Sequence, residues 1–200
     1  MIGKWNKSVI LTYIGLAFGV LGISLTLLDV KTKYALICLI FAGVCDMFDG
    51  TVARRCKRTK EEKEFGIELD SLVDTLNFLA LPLVIVISLN SQLYYLPFYV
   101  MYGIFGVARL ANFNISTPKN NKPVPYYTGL PVTMAAMIFP LVYLLSYVIK
   151  ENVFIHIMNI TTGLTGLLFV LKIKVPKPHL ISSIILFIIA IITTTLYIFI

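Results

Sequence analysis

The sequence has few charged residues. Asp, Glu, Lys and Arg make up 14% of the 200 residues, against about 25% in an average soluble domain. Hydrophobic residues make up 58%, which excludes a disordered chain because disorder requires low hydrophobicity. A soluble domain of this length could not bury several apolar runs of about 20 residues each. The composition therefore predicts an integral membrane protein.

Cysteine and histidine are also scarce. The three cysteines, at positions 38, 45 and 56, are odd in number and lack metal-site spacing, so a disulfide framework is excluded. Basic residues outnumber acidic ones by 17 to 10, giving a net charge of +7. They lie at the ends of apolar runs, where anionic headgroups explain them better than nucleic acid does. We therefore expect a lipid bilayer as partner and no nucleic acid.

Seven apolar segments are long enough to cross a hydrocarbon core of about 30 Å. Together with their short connections, they predict an all-α, polytopic membrane helix bundle in which residues 1–200 form a single transmembrane domain. The predicted spans are 9–28, 35–53, 67–89, 93–112, 128–149, 152–171 and 180–200.

The distribution of Lys and Arg predicts the orientation of this bundle. Fourteen of the seventeen lie at the N-terminus or beyond the second, fourth and sixth spans, and three lie on the other side. Because basic residues remain preferentially in the cytoplasm, we expect a cytoplasmic N-terminus, a location in the cell membrane and a site that faces the cytoplasm.

Four of the ten acidic residues lie inside predicted spans, where each costs about 2.5–3.5 kcal/mol to insert. Asp46 and Asp49 are about 60° apart on one helix, and Asp70 and Asp74 are about 40° apart on the next. Two neighbouring helices can thus present two carboxylates each to one cleft. Converging carboxylates need cations, and hard oxygen ligands favour Mg²⁺, Mn²⁺ or Ca²⁺. Two such ions would bind a diphosphate.

Two other interpretations of these carboxylates are open. They could snorkel to the interface as structural residues, although their regular spacing on two helices argues against this. They could also serve a divalent-cation transporter. Transporters often have related halves, whereas all four aspartates lie on consecutive helices without a counterpart in the second half, and this asymmetry favours an enzyme.

Residues 46–74 contain D-M-F-D-G-T-V-A-R, eleven further residues, and G-I-E-L-D-S-L-V-D. This run resembles the signature of the CDP-alcohol phosphatidyltransferase family, D-x2-D-G-x2-A-R, a spacer, and G-x3-D-x3-D. All fixed positions match, whereas the spacer, residues 55–65, is longer than is usual in the family. The matching residues are Asp46, Asp49, Gly50, Ala53, Arg54, Gly66, Asp70 and Asp74.

A second region is similar to the phosphatidylserine synthase branch of this family. It consists of A-R-L-A-N-F-N at 108–114 and Y-T-G-L-P at 127–131. With this region the resemblance extends over about residues 9–175. It implies a six-helix family core, an additional C-terminal span at 180–200, and a homodimer.

The resemblance implies transfer of a phosphatidyl group from CDP-diacylglycerol to L-serine, with release of CMP. Asp46, Asp49 and Asp70 would bind Mg²⁺ or Mn²⁺, as two ions, and Asp74 would be the general base and a further ligand. Glycerol 3-phosphate or inositol phosphate as acceptor, and an archaeal ether lipid as donor, are the alternatives. The resemblance also implies that Gly50 and Ala53 let the cytidine lie against the helix, that Arg54 helps to hold that region, and that Gly66 contacts the substrate.

Arg109 lies at the inner end of the fourth predicted span. Its guanidinium could hold the serine carboxylate or the lipid phosphate through two parallel hydrogen bonds, or it could simply anchor the span. The surrounding R-L-x-x-F-N sequence favours binding. Asn112 and Asn114 could donate hydrogen bonds to the same ligand.

Overall fold

A computed structural model describes residues 3–4, 6–89, 92–116, 126–176 and 180–199. This part of the chain contains seven helices. Several of the ranges below include turns that are continuous with the helix, whereas the turn over Leu93–Tyr95 directly precedes the fourth helix and is not counted in it. The helices are α1 (Lys7–Leu27), α2 (Thr32–Arg55), α3 (Lys60–Ser88), α4 (Leu96–Ser116), α5 (Val132–Tyr147), α6 (Glu151–Val170) and α7 (Leu180–Phe199).

Four of these helices, α1, α2, α3 and α6, are long and apolar enough to span a membrane. The prediction of a polytopic membrane protein built from helices is therefore confirmed. Membrane spans by α4, α5 and α7 stay predictions, as does the single domain over residues 1–200. Residue 200, at the end of the last predicted span, lies outside the described residues.

The third helix begins earlier than the predicted span 67–89. Thr59 caps it: its side-chain oxygen accepts from the Glu62 backbone N–H at 3.2 Å, and the Glu62 carboxylate accepts from the Thr59 N–H at 2.7 Å. This reciprocal capping box stabilises a helix start at Lys60. The longer spacer is therefore taken up largely by an additional turn and a half of helix.

The prediction that the fifth span begins at residue 128 is wrong. Tyr126–Thr128 forms a short strand, β1, that pairs antiparallel with β2, Lys174–Pro176. Gly129 follows with a φ of +80°, and a Cβ there would lie 2.3 Å from the Phe169 carbonyl oxygen. Only glycine fits this turn. The turn and the ribbon join the start of α5 to the end of α6.

Small residues bring α1 close to its neighbours. A Cβ at Gly22 would lie 3.1 Å from the Cβ of Cys38 on α2, and a Cβ at Gly19 would lie 1.8 Å from Oδ1 of Asn77 on α3. Inside a bilayer, such residues let helix backbones approach and gain packing contacts. This contact fixes α2 and α3 side by side. The three cysteines are free thiols, as predicted.

Helix α3 is π-helical over Thr75–Ala80, directly after Asp74. The hydroxyl of Tyr102 on α4 donates to the Phe78 carbonyl inside this segment at 2.6 Å. π-Helical turns are rare and occur often beside functional sites. Asn77, inside this segment, lies against Gly15 and Gly19 of α1.

The N-terminal residues lie against the connection between α2 and α3. Lys4 Nζ is 2.6 Å from the Glu61 carboxylate, and Asn6 Nδ2 donates to the Lys57 carbonyl at 3.2 Å. The hydrogen bond and negative charge of Glu61 raise the pKa of Lys4. The N-terminus and the spacer, both predicted to be cytoplasmic, therefore lie at the same end of the bundle.

Candidate active site

Four aspartates from α2 and α3 line one cavity of about 870 Å³. Asp46 and Asp49 lie one turn apart on α2, and Asp70 and Asp74 lie one turn apart on α3. Asp49 and Asp74 are buried, and the other two are partly buried. The close packing of α1 against both helices brings these two pairs together.

The geometry of these carboxylates fits a divalent-metal site. Oxygen atoms of Asp46, Asp49 and Asp70 lie within 4.8 Å of one another, and hard oxygen ligands of this kind suit Mg²⁺ and Mn²⁺. The carboxyl group of Asp46 lies beside that of Asp74, and the carboxyl group of Asp49 lies beside that of Asp70. Carboxylates in such contact repel one another unless a cation or a proton lies between them.

Thr12 of α1 is a site residue that sequence reasoning missed. Its hydroxyl donates to Oδ2 of Asp49 at 3.1 Å, and both side chains are buried. A hydrogen bond of this kind orients a metal ligand from behind and leaves the other carboxylate oxygen available. A lone threonine in an apolar span carries no sequence signal, because its role depends on how α1 packs against α2.

Two arginines line the same cavity as the aspartates. Arg54 donates from Nη2 to the Thr51 hydroxyl at 2.9 Å. Arg109 is buried on α4, its Nε donates to the Leu130 carbonyl at 3.2 Å, and its guanidinium lies 5.2 Å from the centre of the Phe113 ring. Guanidinium groups in the same cavity as a carboxylate cluster that could hold a metal suit an anionic ligand such as a phosphate or a carboxylate.

Helix packing does not require a glycine at Gly50 or Gly66. Among the described residues, a Cβ at Gly50 would have one neighbour within 4 Å, Nη1 of Arg54 at 3.6 Å. A Cβ at Gly66 would meet Val9 at 3.9 Å and Arg58 at 4.0 Å, which are ordinary contacts. A side chain at either glycine would therefore meet only ordinary contacts among the described residues, and neither glycine lines the cavity.

Two buried polar atoms near Gly66 have no hydrogen-bond partner within the described residues. They are Oγ of Ser8, which precedes Val9, and Nε of Arg58. Because buried polar groups are almost always hydrogen-bonded, this pair is consistent with a polar ligand beside Gly66. Sequence reasoning assigned the spacer arginines mainly to membrane topology and headgroup attraction, and gave Ser8 no role.

Five of the predicted site residues lie outside the described wall of the cavity: Gly50, Gly66, Ala53, Asn112 and Asn114. Asn112 is exposed on α4. Asn114 donates from Nδ2 to the Ser71 hydroxyl at 2.7 Å and so links α4 to α3. Their contacts with a substrate stay predictions.

A comparison with protein families matches residues 5–171 to the family described as CDP-alcohol phosphatidyltransferase. The chain belongs to this family. The matched residues include the four aspartates, both cavity arginines and helices α1 to α6, whereas α7 lies beyond the match. The recognition made from the signature is confirmed.

The chain is also similar to curated proteins of this family. The CDP-diacylglycerol–serine O-phosphatidyltransferase of Helicobacter pylori is 38% identical over 106 residues, which are 51% of this chain and 42% of that protein. The archaetidylserine synthase of Methanothermobacter thermautotrophicus is 29% identical over 140 residues, 69% of this chain and 58% of that protein. The matched regions therefore span about half the length of these relatives.

Proposed function

We propose that this CDP-alcohol phosphatidyltransferase transfers a phosphatidyl group from CDP-diacylglycerol to the hydroxyl of L-serine and releases CMP. The observation that carries the proposal is the single cavity that contains four converging carboxylates and two guanidinium groups. Relatives whose names indicate different lipids share serine in those names, and this supports serine as the acceptor. Family membership favours a transferase over a cation transporter.

In this proposal Asp46, Asp49 and Asp70 would hold two Mg²⁺ or Mn²⁺ ions, whose charge would neutralise the diphosphate. The serine hydroxyl oxygen forms a bond to the phosphorus on the lipid side, and the bond from that phosphorus to the CMP oxygen breaks. Asp74 accepts the proton of the serine hydroxyl. Phosphoryl transfer depends mainly on positioning and charge neutralisation, and rigid neighbouring helices supply the positioning.

Arg109 holds the serine carboxylate in the proposed complex. Its Nε bond to the Leu130 carbonyl couples it to the turn at Gly129, so the ribbon between β1 and β2 fixes its position. The guanidinium can then offer its remaining N–H groups to a carboxylate. Acceptors that carry a phosphate would need more basic residues nearby, and the described cavity wall has two arginines and no lysine.

The cytidine end of the donor lies beside Gly50, Ala53 and Gly66 in this proposal. A Cβ at either glycine would have no described neighbour closer than 3.6 Å, and the lack of a side chain leaves space for a flat nucleoside beside the helix backbones. Arg54 stands at the edge of that space and lines the cavity, so its guanidinium can contact the diphosphate. Asn112 and Asn114 would contribute to acceptor binding only after their side chains reorient.

The test is release of CMP by the purified protein with Mg²⁺ or Mn²⁺. CDP-diacylglycerol would be offered with serine, glycerol 3-phosphate or inositol phosphate in parallel, and the ether-linked donor CDP-archaeol would be offered with serine. We expect release with CDP-diacylglycerol and serine. Faster release with a phosphorylated acceptor than with serine would overturn the assignment of serine as acceptor. Faster release with CDP-archaeol than with CDP-diacylglycerol would overturn the assignment of the donor. No release under any condition would overturn the proposed activity.

We also propose a cell-membrane protein whose N-terminus and cavity face the cytoplasm, as the basic residues predict. In a cysteine-free variant, a cysteine in place of Lys57 should react only with a reagent on the cytoplasmic side. A cysteine in place of Lys31, between α1 and α2, should react only from the other side. The reverse pattern would contradict the orientation. A homodimer should be visible as the mass of two chains in detergent.

A further inference from the structure

The cavity has an apolar half that α7 encloses. Helix α7 lies beyond residues 5–171, the part matched to the family, yet it forms one wall of the cavity with residues such as Phe187 and Ala190. Helix α5 forms the facing wall, where Met137 lies. Over the described residues, neither helix contributes a charged side chain to the wall. An element outside the matched region therefore completes the apolar part of the site.

Specific contacts hold α7 in this place. Phe187 packs edge to face against Phe48 of α2, with ring centres 5.9 Å apart. Near its other end, the fully buried Tyr197 donates its hydroxyl to the Pro140 carbonyl of α5. The opposite face of α7 is exposed, with Ile191 half exposed. One face of α7 is therefore a fixed part of the cavity and the other faces the surroundings.

We propose that this apolar half is a compartment for one hydrocarbon chain of the lipid donor, and that α7 selects which chains fit. The inference rests on the proposed function, because a diphosphate at the aspartates places the rest of the donor beside the apolar walls. The volume of about 870 Å³ is near the upper end of the range of about 300–1,000 Å³ for small-molecule sites. That volume leaves room for hydrocarbon as well as the diphosphate.

Selection between hydrocarbon chains must come from the shape of the compartment. A chain that moves from the bilayer into the compartment leaves one apolar environment for another, so it gains little from the hydrophobic effect. A side chain that overfills the compartment should therefore exclude a long chain, while a short chain still fits. Ala190 is the smallest α7 side chain on the wall, and enlarging it should have the clearest effect.

The experiment compares Ala190→Phe with Ile191→Phe, which places the same ring on the exposed face of the same helix. Release of CMP would be measured with serine and with CDP-diacylglycerols that carry either long or short acyl chains. We expect Ala190→Phe to raise the KM for the long-chain donor about tenfold or more and to leave that for the short-chain donor unchanged. Ile191→Phe should change neither value.

Met137→Phe adds a ring from the facing wall and leaves α7 intact, so it should give the same selective effect even if Ala190→Phe fails to fold. Equal effects of a folded wall variant on both donors, or no effect on the long-chain donor, would overturn the compartment while the proposed function stands. An unsubstituted protein that releases no CMP from either donor would overturn the proposed function and this inference with it.

Discussion

The bundle contains two groups of polar side chains within its apolar helices, and they are arranged in opposite ways. Between α4 and α6, toward the end of α4 remote from Arg109, the Tyr99 hydroxyl donates to Asn159 Oδ1, and the Tyr95 hydroxyl contacts the His156 ring. These groups pair a donor with an acceptor. Between α2 and α3, carboxyl groups lie beside other carboxyl groups.

This difference suggests that the pairs between α4 and α6 stabilise the fold, whereas the carboxyl groups between α2 and α3 are suited to binding. A donor–acceptor pair lowers the energy of the folded protein by itself, whereas a cluster of like charges lowers it only when a cation binds. The glycines of the bundle also fall into two groups, according to whether a Cβ would clash with a neighbouring helix. A Cβ at Gly106 would lie 2.3 Å from the Leu79 side chain, and one at Gly166 would lie 2.8 Å from the Tyr102 backbone. A Cβ at Gly50 or Gly66 would instead make only ordinary contacts, at 3.6 Å or more.

The largest effect should come from the proposed metal ligands, and it tests whether the carboxylate cluster is functional. Asp46→Asn, Asp49→Asn and Asp70→Asn should each abolish CMP release, and EDTA should abolish it in the unsubstituted protein. The metal-free variants should unfold at no lower temperature than the metal-free parent, because each substitution removes repulsion. Activity that persists in EDTA, or in all three variants, would contradict the metal site.

Asp74→Asn should have the next largest effect. General-base assistance is worth about 10²–10⁴-fold, so kcat should fall by that factor while CDP-diacylglycerol still binds in the presence of metal. Isothermal titration with the donor and steady-state kinetics with serine would separate the two properties. If the variant no longer binds the donor, Asp74 acts mainly as a metal ligand and the base is another group.

Arg109→Lys should have a smaller and more selective effect. Lysine keeps the positive charge but lacks the planar fork, so the KM for serine should rise by about tenfold and by more than kcat falls. Kinetics with varied serine at a saturating donor concentration would measure both values. An unchanged KM for serine would place the acceptor carboxylate elsewhere, and the argument for serine would then rest on the relatives alone.

The sequence correctly predicted which residues share a helix face where the α-helix is uninterrupted. Asp46 with Asp49, and Asp70 with Asp74, lie on shared faces because helical periodicity fixes faces within a few turns. The π-helical segment Thr75–Ala80, which starts directly after Asp74, was not anticipated from the sequence. Hydropathy also missed the start of α3. It located the first apolar residues of the span, near residue 67, whereas the helix begins at Lys60 because Thr59 caps it.

Features that depend on tertiary contacts could not be predicted. The strand Tyr126–Thr128 exists because it pairs with Lys174–Pro176, and neither segment carries a strand pattern of its own. The hydrogen bond from Thr12 to Asp49 depends on the packing of α1. The contribution of α7 to the cavity depends on its contacts with α2 and α5, which no local pattern in residues 180–199 reveals.

The smallest effect, and the one that tests the structural side of the comparison, should come from Tyr99→Phe. The substitution removes the hydroxyl that donates to Asn159 Oδ1, while Asn159 Nδ2 keeps its bond to the Ile155 carbonyl at 2.7 Å. Hydrogen bonds between membrane helices contribute about 0.6 kcal/mol on average and up to about 1.7. The free energy of unfolding should therefore fall by about that amount.

The kinetics of Tyr99→Phe should stay unchanged, because Tyr99 lies outside the described cavity wall. Tyr34→Phe is the matched control, since the Tyr34 side chain is half exposed on α2 and its loss of a hydroxyl should change neither stability nor activity. Denaturation in mixed detergent and CMP release would be measured on the same preparations. If Tyr99→Phe reduced activity as strongly as Arg109→Lys at unchanged stability, the α4–α6 pairs would belong to the functional machinery. Donor–acceptor complementarity would then no longer distinguish the structural polar groups of this bundle from its site.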